Sequence, residues 1–420
     1  MFDMIRVEWY QHLSAIERYQ AVETSCLKRL LHEIYLIYVD VVRETLIFNH
    51  KHKKQEEEKM KRCVLILGMI LTLFLLVSSA SAKVVIKLAN AGPDNPDNRS
   101  VKAIAIFKHN VEKRTHGAIE VQPYHARKLG DEREMMEGAR MGSIEMIFVS
   151  SGPIPGFFPP VMVFDIPYMF SSAPAAWEFF ESEFGKKFES SFLKKTGVRC
   201  LGITENGYRH FTNNKRPIRT PADMKGLKIR TMQNPAHMAM VRALGADPTP
   251  IPFGELYMAL QQGVVDGMEC PSVLIHDMKF YEVQNQMILD GHLYNPLFIM
   301  ANNKWFTTKL TPEQQKIITE ESLLLAHVHD GFSQQANREC EVKLRAHGMN
   351  IYKPTQDELA QFRKIAQPAG LEFIRKKIGD EWVNEALAAA KQAEAKVGDQ
   401  AEAIIQQHIK LANDLYKKIK

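Results

Sequence analysis

The stretch RTPADMKGLKIRTMQNP, residues 219–235, decides how this chain is read. Thr220, Pro221 and Asp223 have the order of an N-cap, a first helical position and a capping-box acid. Gly226 stops that single turn. Leu227, Ile229 and Thr231 alternate with Lys228, Arg230 and Met232, which is the period of a strand. Asn234 and Pro235 restart a helix, PAHMAMVRALG, closed at Gly245. Arg230 is thereby placed near the carboxyl end of a strand, beside a helix N-terminus. Ligands of open α/β sheets bind at strand carboxyl ends, and helix N-termini favour anions. Arg230 reads as a carboxylate socket; the competing reading is a surface arginine.

Outward from this stretch, strand and helix signals alternate, which argues for α/β layers. KVVIKLAN (83–90) reads as a strand, followed by an amphipathic helix over 99–114 and the strand AIEVQPY. DEREMMEGARMG is a helix ended by Gly142, leading to a strand that ends at Ser150. SGPIPGFFPPVMVFDIPYMF is too proline-rich for a regular element and reads as an ordered loop packed by its aromatics. Helical pieces at 173–180 and about 185–196 precede the strand VRCLGIT. Beyond NPLFIMAN the chain reads as almost wholly helical, with Gly398 dividing the tail. The polar residues Asn90, Ser150, Asn206, Arg209, Arg230 and Cys270 all read as lying at strand ends, and strand ends of one sheet converge on a cleft.

The 420 residues allow two ordinary domains. Lys and Arg number 54 against 49 Asp and Glu, a balance that argues against a nucleic-acid partner, as does the lack of a basic patch with interleaved aromatics. Residues 60–82, MKRCVLILGMILTLFLLVSSASA, have a basic start, an apolar run and an Ala80-Ser81-Ala82 finish, the pattern of a secretory signal peptide. The mature chain then starts at Lys83 and is periplasmic. The alternative is an uncleaved membrane anchor. Residues 1–59 precede the natural initiator Met60 and read as an over-extended start or, with an anchor, as a cytoplasmic arm. Cys26, Cys63, Cys200, Cys270 and Cys340 fit neither a zinc site nor a C-x-x-C motif.

Two segments carry a family resemblance: GYRHFTNNKRPIRTPADMKGLKIRTMQNP and LGADPTPIPFGELYMALQQGVVDGMECP. They resemble the substrate-binding proteins of tripartite ATP-independent periplasmic (TRAP) transporters, of the dicarboxylate-binding DctP type. KLGDEREMMEGARMGSIEM and the secretory leader match too, and the similarity spans nearly all of 83–380. The resemblance implies a two-domain periplasmic-binding-protein fold of the Venus-flytrap kind, closing on an organic acid. It implies domain I from 83–206 plus 296–332, domain II from 207–295 plus 333–380, and a helical C-terminal tail at 381–420. It places Arg230 on the ligand carboxylate, Arg209 as the second arginine, and Asn90, Glu132, Ser150, Phe253 and Cys270 around the pocket; Asn206 joins them from its strand-end position. Cys270 stands where many members carry Asn or Trp. Ser150 replaces an acid of the sialic-acid binders, which argues against sialic acid. The implied partners are the small and large membrane subunits of the transporter.

No catalysis, cofactor or metal is expected. His327 and His329 are two apart in a helical stretch and do not share a face. Glu269 beside Cys270 could touch a cation, because some relatives bind the acid with a metal. No phosphate loop, nucleophile elbow or H-E-x-x-H is present. A monomer is expected, with the tail helix as the face for any dimer. The rival readings are a membrane-tethered sensor with the same domain outside, and an enzyme on the same scaffold.

Overall fold

The computed structural model describes residues 83–420, together with 33, 36, 37, 40, 41, 60 and 62–67. The chain divides into two compact units, Met1–Ser81 and Ala82–Lys420. The described positions of the first unit are helical. The expected signal-peptide cleavage site at Ala80–Ala82, Cys26 and most of the 1–59 segment lie outside the described residues. Among the described residues no helix is long and apolar enough to cross a membrane.

The second unit is an α/β structure built on one ten-stranded mixed sheet. Its strands are β1 (Val84–Asn90), β2 (Ile119–Tyr124), β3 (Met146–Ser150), β4 (Val198–Asn213), β5 (Lys228–Thr231), β6 (Asp247–Pro250), β7 (Gly267–Pro271), β8 (Gln286–Ile288), β9 (Leu293–Asn302) and β10 (Asn350–Tyr352). The first helices are α1 (Arg99–Arg114), α2 (Glu132–Met141), α3 (Ala173–Phe180), α4 (Glu183–Thr196), α5 (Pro235–Ala243) and α6 (Leu256–Gln261). The remainder are α7 (Ser272–Asp277), α8 (Asn303–Lys309), α9 (Pro312–Ala346), α10 (Gln356–Ile378), α11 (Asp380–Val397) and α12 (Ala401–Ile419).

The strand order β2-β1-β3-β9-β4-β7-β5-β6 places β4 at the centre, with β8 beside it and β10 beside β8. β4 runs for 16 residues and serves both ends of the sheet. Its residues Val198–Arg209 pair antiparallel with β9, and β9 with β3; its residues Arg209–Asn213 pair antiparallel with β7. β1 and β3 therefore run with β4 and point their carboxyl ends toward its middle, while β7 and β5 run against it and point theirs back toward the same place. Ser150 of β3 lies opposite Leu297, which lies opposite Thr204 of β4; Pro271 of β7 lies opposite Arg209. The two sets of strand ends meet over residues 204–209 of β4.

This corrects one sequence expectation. Asn206 and Arg209 lie inside a long strand, not at a strand end. The strand continues past Thr204 because its ladder slips between Glu205 and Gly207, where Gly207 takes a φ of 122° that favours glycine. The short edge strand β6 was likewise hidden by Pro248 and Pro250, which an edge tolerates, and β10 interrupts the helical C-terminal third.

Elsewhere the elements form as their signals dictate. The turn Pro221–Met224 has its Thr220/Asp223 capping box, and Asn234 caps α5 through Oδ1 to the Ala236 and His237 amides at 2.9 and 3.4 Å. The proline-rich loop folds into two short 3₁₀ turns, Ile154–Gly156 and Pro159–Asp165. It is locked by Phe164, whose ring meets Phe188 edge-on at 4.8 Å and Phe298 at 5.6 Å. The tail breaks at Gly398 as expected. α11 packs on α3 and α10 and buries Val383, Ala386 and Ala390, while α12 packs on α9 and α1.

Candidate ligand-binding site

Arg230 is 1% exposed, which removes the surface reading. It sits on β5 one residue before the strand ends. Its Nε donates to the Ile251 carbonyl oxygen at 2.9 Å, while Nη1 is buried with no partner among the described residues. Burial pulls its pKa down, opposed by the more distant charge of Glu269. The neighbouring N-terminus of α5 is not an open anion site, because Asn234 already caps it. The free hydrogen-bonding edge here belongs to the guanidinium.

Arg209, equally buried, is in a different condition. Its Nε forms an ion pair with Glu269 Oε2, Nη2 donates to the Glu269 carbonyl oxygen at 2.5 Å, and Nη1 to Asn295 Oδ1 at 3.2 Å. Burial alone would raise the Glu269 pKa, but the Arg209 charge with His237 and His292 holds it well below the usual carboxylate range. His237 Nδ1 lies 3.6 Å from Glu269 Oε1, and its Nε2 is 2.9 Å from Asp165 Oδ1. Burial opposes the protonated imidazole, yet Asp165 and Glu269 raise its pKa to about 9. The charges around Glu269 are thus the protein's own side chains. Among the described residues no cluster of three His, Cys, Asp or Glu could hold a metal. His327 and His329 face apart: the first bonds Glu181 at 2.6 Å, the second Ser100 Oγ at 3.0 Å.

On the other side stand the ends of β1 and β3. Glu132 opens α2 and accepts from Ser150, its Oε1 from the amide at 2.6 Å and its Oε2 from the hydroxyl at 2.8 Å. Burial raises its pKa against those two bonds. Asn90 Oδ1 is 3.0 Å from His125 Nδ1, and Asn206 Nδ2 donates to Asn295 Oδ1 at 2.7 Å. Cys270 is buried, and burial lifts its thiol to about 11, so it stands in the wall as a small neutral group.

All the expected ligand residues — Asn90, Glu132, Ser150, Asn206, Arg209, Arg230, Phe253 and Cys270 — line one cavity of about 50 Å³. A second cavity of about 270 Å³ shares Glu132, Arg230, Met232 and Phe253 with it. The inner chamber is far smaller than a typical ligand pocket of roughly 300–1,000 Å³. Arg99 also lines the inner chamber and was missed. It is 4% exposed, and its Nη1 and Nη2 donate at 3.0 Å to Ser333 Oγ and to both oxygens of Asn206. One signal could have found it: a cation at the first position of a helix opposes the helix dipole.

The model of the family described as bacterial extracellular solute-binding protein, family 7 (DctP), matches residues 92–377. A solute-binding protein of Verminephrobacter eiseniae is 36% identical over 282 residues, 65% of this chain and 84% of that one. The sugar acid binding protein DctPAm of Advenella mimigardefordensis, solved in complex with galactonate, is 32% identical with a TM-score of 0.71 over 74% of this chain and 100% of that one. A TRAP periplasmic solute binding protein of Polaromonas sp. JS666, bound to D-erythronate, is 31% identical with a TM-score of 0.68 over 73% of this chain and 99% of that one. These likenesses span both ends of the sheet in the two-domain fold of periplasmic binding proteins, and the chain belongs to the family 7 bacterial extracellular solute-binding proteins, the DctP substrate-binding proteins of TRAP transporters.

Proposed function

We propose that this protein captures an organic-acid anion in the periplasm, holds its carboxylate on Arg230, and delivers it to the small and large membrane subunits of a TRAP transporter. The observation that carries this is the buried guanidinium with Nη1 unpartnered beside a cavity. A planar fork of donors meets a carboxylate bidentately, a geometry lysine cannot copy. Arg209, neutralised by Glu269, shapes the wall and keeps a neutral face toward the ligand. The relatives in complex with galactonate and D-erythronate support a hydroxylated acid, for which Glu132, Asn90 and Asn206 offer polar partners.

No chemical step belongs to this reading. Two lobes, 83–206 with 296–332 and 207–295 with 333–380, part and close about β4 and β9, and bound acid shifts the population toward closure. Residues 60–82 are the leader, removed after Ala82, and the working protein is a monomer. The test is a thermal-shift screen against galactonate, D-erythronate, D-glucuronate and succinate. A bound acid at about 100 times its Kd adds roughly 2.7 kcal/mol, a clear rise in melting temperature. No rise with any of these acids would count against the proposal.

A further inference from the structure

Two side chains that begin helices each serve twice. Asn98, the N-cap of α1, accepts from the Ser100 and Val101 amides through Oδ1 at 2.9 and 3.3 Å. Its Nδ2 donates to Asp277 Oδ2 at 2.9 Å. Asp131, the N-cap of α2, accepts from the Glu132 amide through Oδ1 at 2.8 Å, and its Oδ2 accepts from the Gly254 amide at 2.8 Å. Each first bond stays within the end of the sheet that holds β1–β3. Each second bond crosses to the end that holds β5–β7: Asp277 closes α7 directly after β7, and Gly254 lies in the turn after β6. Asn98 lines the inner chamber and Asp131 the outer one, so the two crossings flank the ligand site.

The approach at Gly254 is close. A Cβ there would lie 3.1 Å from Arg127 Nε and 3.3 Å from Asp131 Oδ2, so the amide reaches Asp131 because no side chain stands between. Arg127 adds a third crossing, its guanidinium 5.8 Å from the centre of the Phe253 ring.

We propose that Asn98 and Asp131 are latches of the closed cleft. Their capping bonds persist whether the cleft is open or shut, and their bonds to Asp277 and Gly254 form as the two ends meet on a bound acid. This rests on the acid-binding reading above. Capping holds each side chain in place before closure, so the latch bond forms with little loss of rotamer freedom. Each bond adds a modest increment to closing, and the apparent affinity for acid scales with the closed population.

The test follows compaction by small-angle scattering during titration with galactonate and with D-erythronate. The proteins compared are the parent, Asp277→Ala, Asp277→Asn and Asp131→Asn. Asp277→Ala and Asp277→Asn remove the same charge, but only Asn keeps an oxygen to accept from Asn98. Asp131→Asn keeps a capping oxygen and sets an NH₂ group against the Gly254 N–H. Removing negative charge near an anion site would by itself tighten binding, so a weakening isolates the latch.

Asp277→Ala and Asp131→Asn are each expected to need about three- to tenfold more acid for half-compaction. Asp277→Asn is expected to follow the parent, and the acid-free melting temperatures to stay close to it. Equal half-compaction for all four proteins overturns the latches and leaves acid binding intact. A parent that compacts with neither acid overturns the acid-binding reading and the latches with it.

Discussion

Arg230 donates through Nε to the Ile251 carbonyl oxygen at 2.9 Å, and that bond fixes a buried cation whose Nη1 donates to nothing among the described residues. Such a group costs folding stability, and an arriving carboxylate recovers that cost as binding. Arg230→Met is therefore expected to raise the melting temperature of the acid-free protein while weakening acid binding. Losing one partner of such a pair costs about 2–5 kcal/mol, roughly thirtyfold to several thousandfold in affinity. Calorimetric melting and titration of the same preparation check both signs.

Arg209 predicts the opposite stability response. Its charge is already met by Glu269, both side chains being at most 2% exposed. Breaking a buried pair from one side costs about 3–5 kcal/mol. Glu269→Gln is expected to lower the unfolding free energy from urea titration by that order, where Arg230→Met raises it.

His237 sets a pH response. Its pKa in the folded protein is about 9, against an ordinary value of 6.5. The folded state therefore holds the proton more tightly. That stabilisation is full below pH 6.5 and is lost as the pH rises through about 9. The parent is expected to lose melting temperature across this window, and His237→Gln to flatten the loss. Melting curves at several pH values read the difference between the two proteins.

Gly152, just after β3, faces Met232 just after β5. A Cβ at position 152 would lie 3.0 Å from Met232 Cβ and collide with Met232 Sδ. Overpacking costs about 1–3 kcal/mol, and in the proposed two-lobe reading it acts only when the cleft is shut. Gly152→Val is expected to weaken acid binding by about five- to 150-fold with little change in acid-free melting, which titration and melting measure separately.

Much of the site was legible because its signals are local. The Thr220 capping box, the alternation across 227–231 and the Asn234-Pro235 restart place Arg230 at a strand end using only neighbours in sequence. The long β4 was not legible. Its continuation from Thr204 to Asn213 depends on pairing with β9 on one side and β7 on the other, and on a ladder slip at Gly207, none of which is local. The state of each arginine was also hidden. Periodicity shows that Arg209 and Arg230 are near strands, but only the tertiary arrangement gives Arg209 its Glu269 and leaves Arg230 Nη1 without a partner among the described residues. Arg99 was lost inside the amphipathic pattern of α1, although its place in the first turn was anomalous.

Arg230 and the carboxylate of the ligand recognise one another in this reading. Calorimetric titration of the parent and of Arg230→Met, each with galactonate and with the uncharged galactonamide, tests that coupling directly. The parent is expected to prefer the acid over the amide by about thirtyfold or more, and Arg230→Met to bind the two alike. An undiminished preference for the acid in Arg230→Met would place the carboxylate on another group and rule out Arg230 as its anchor.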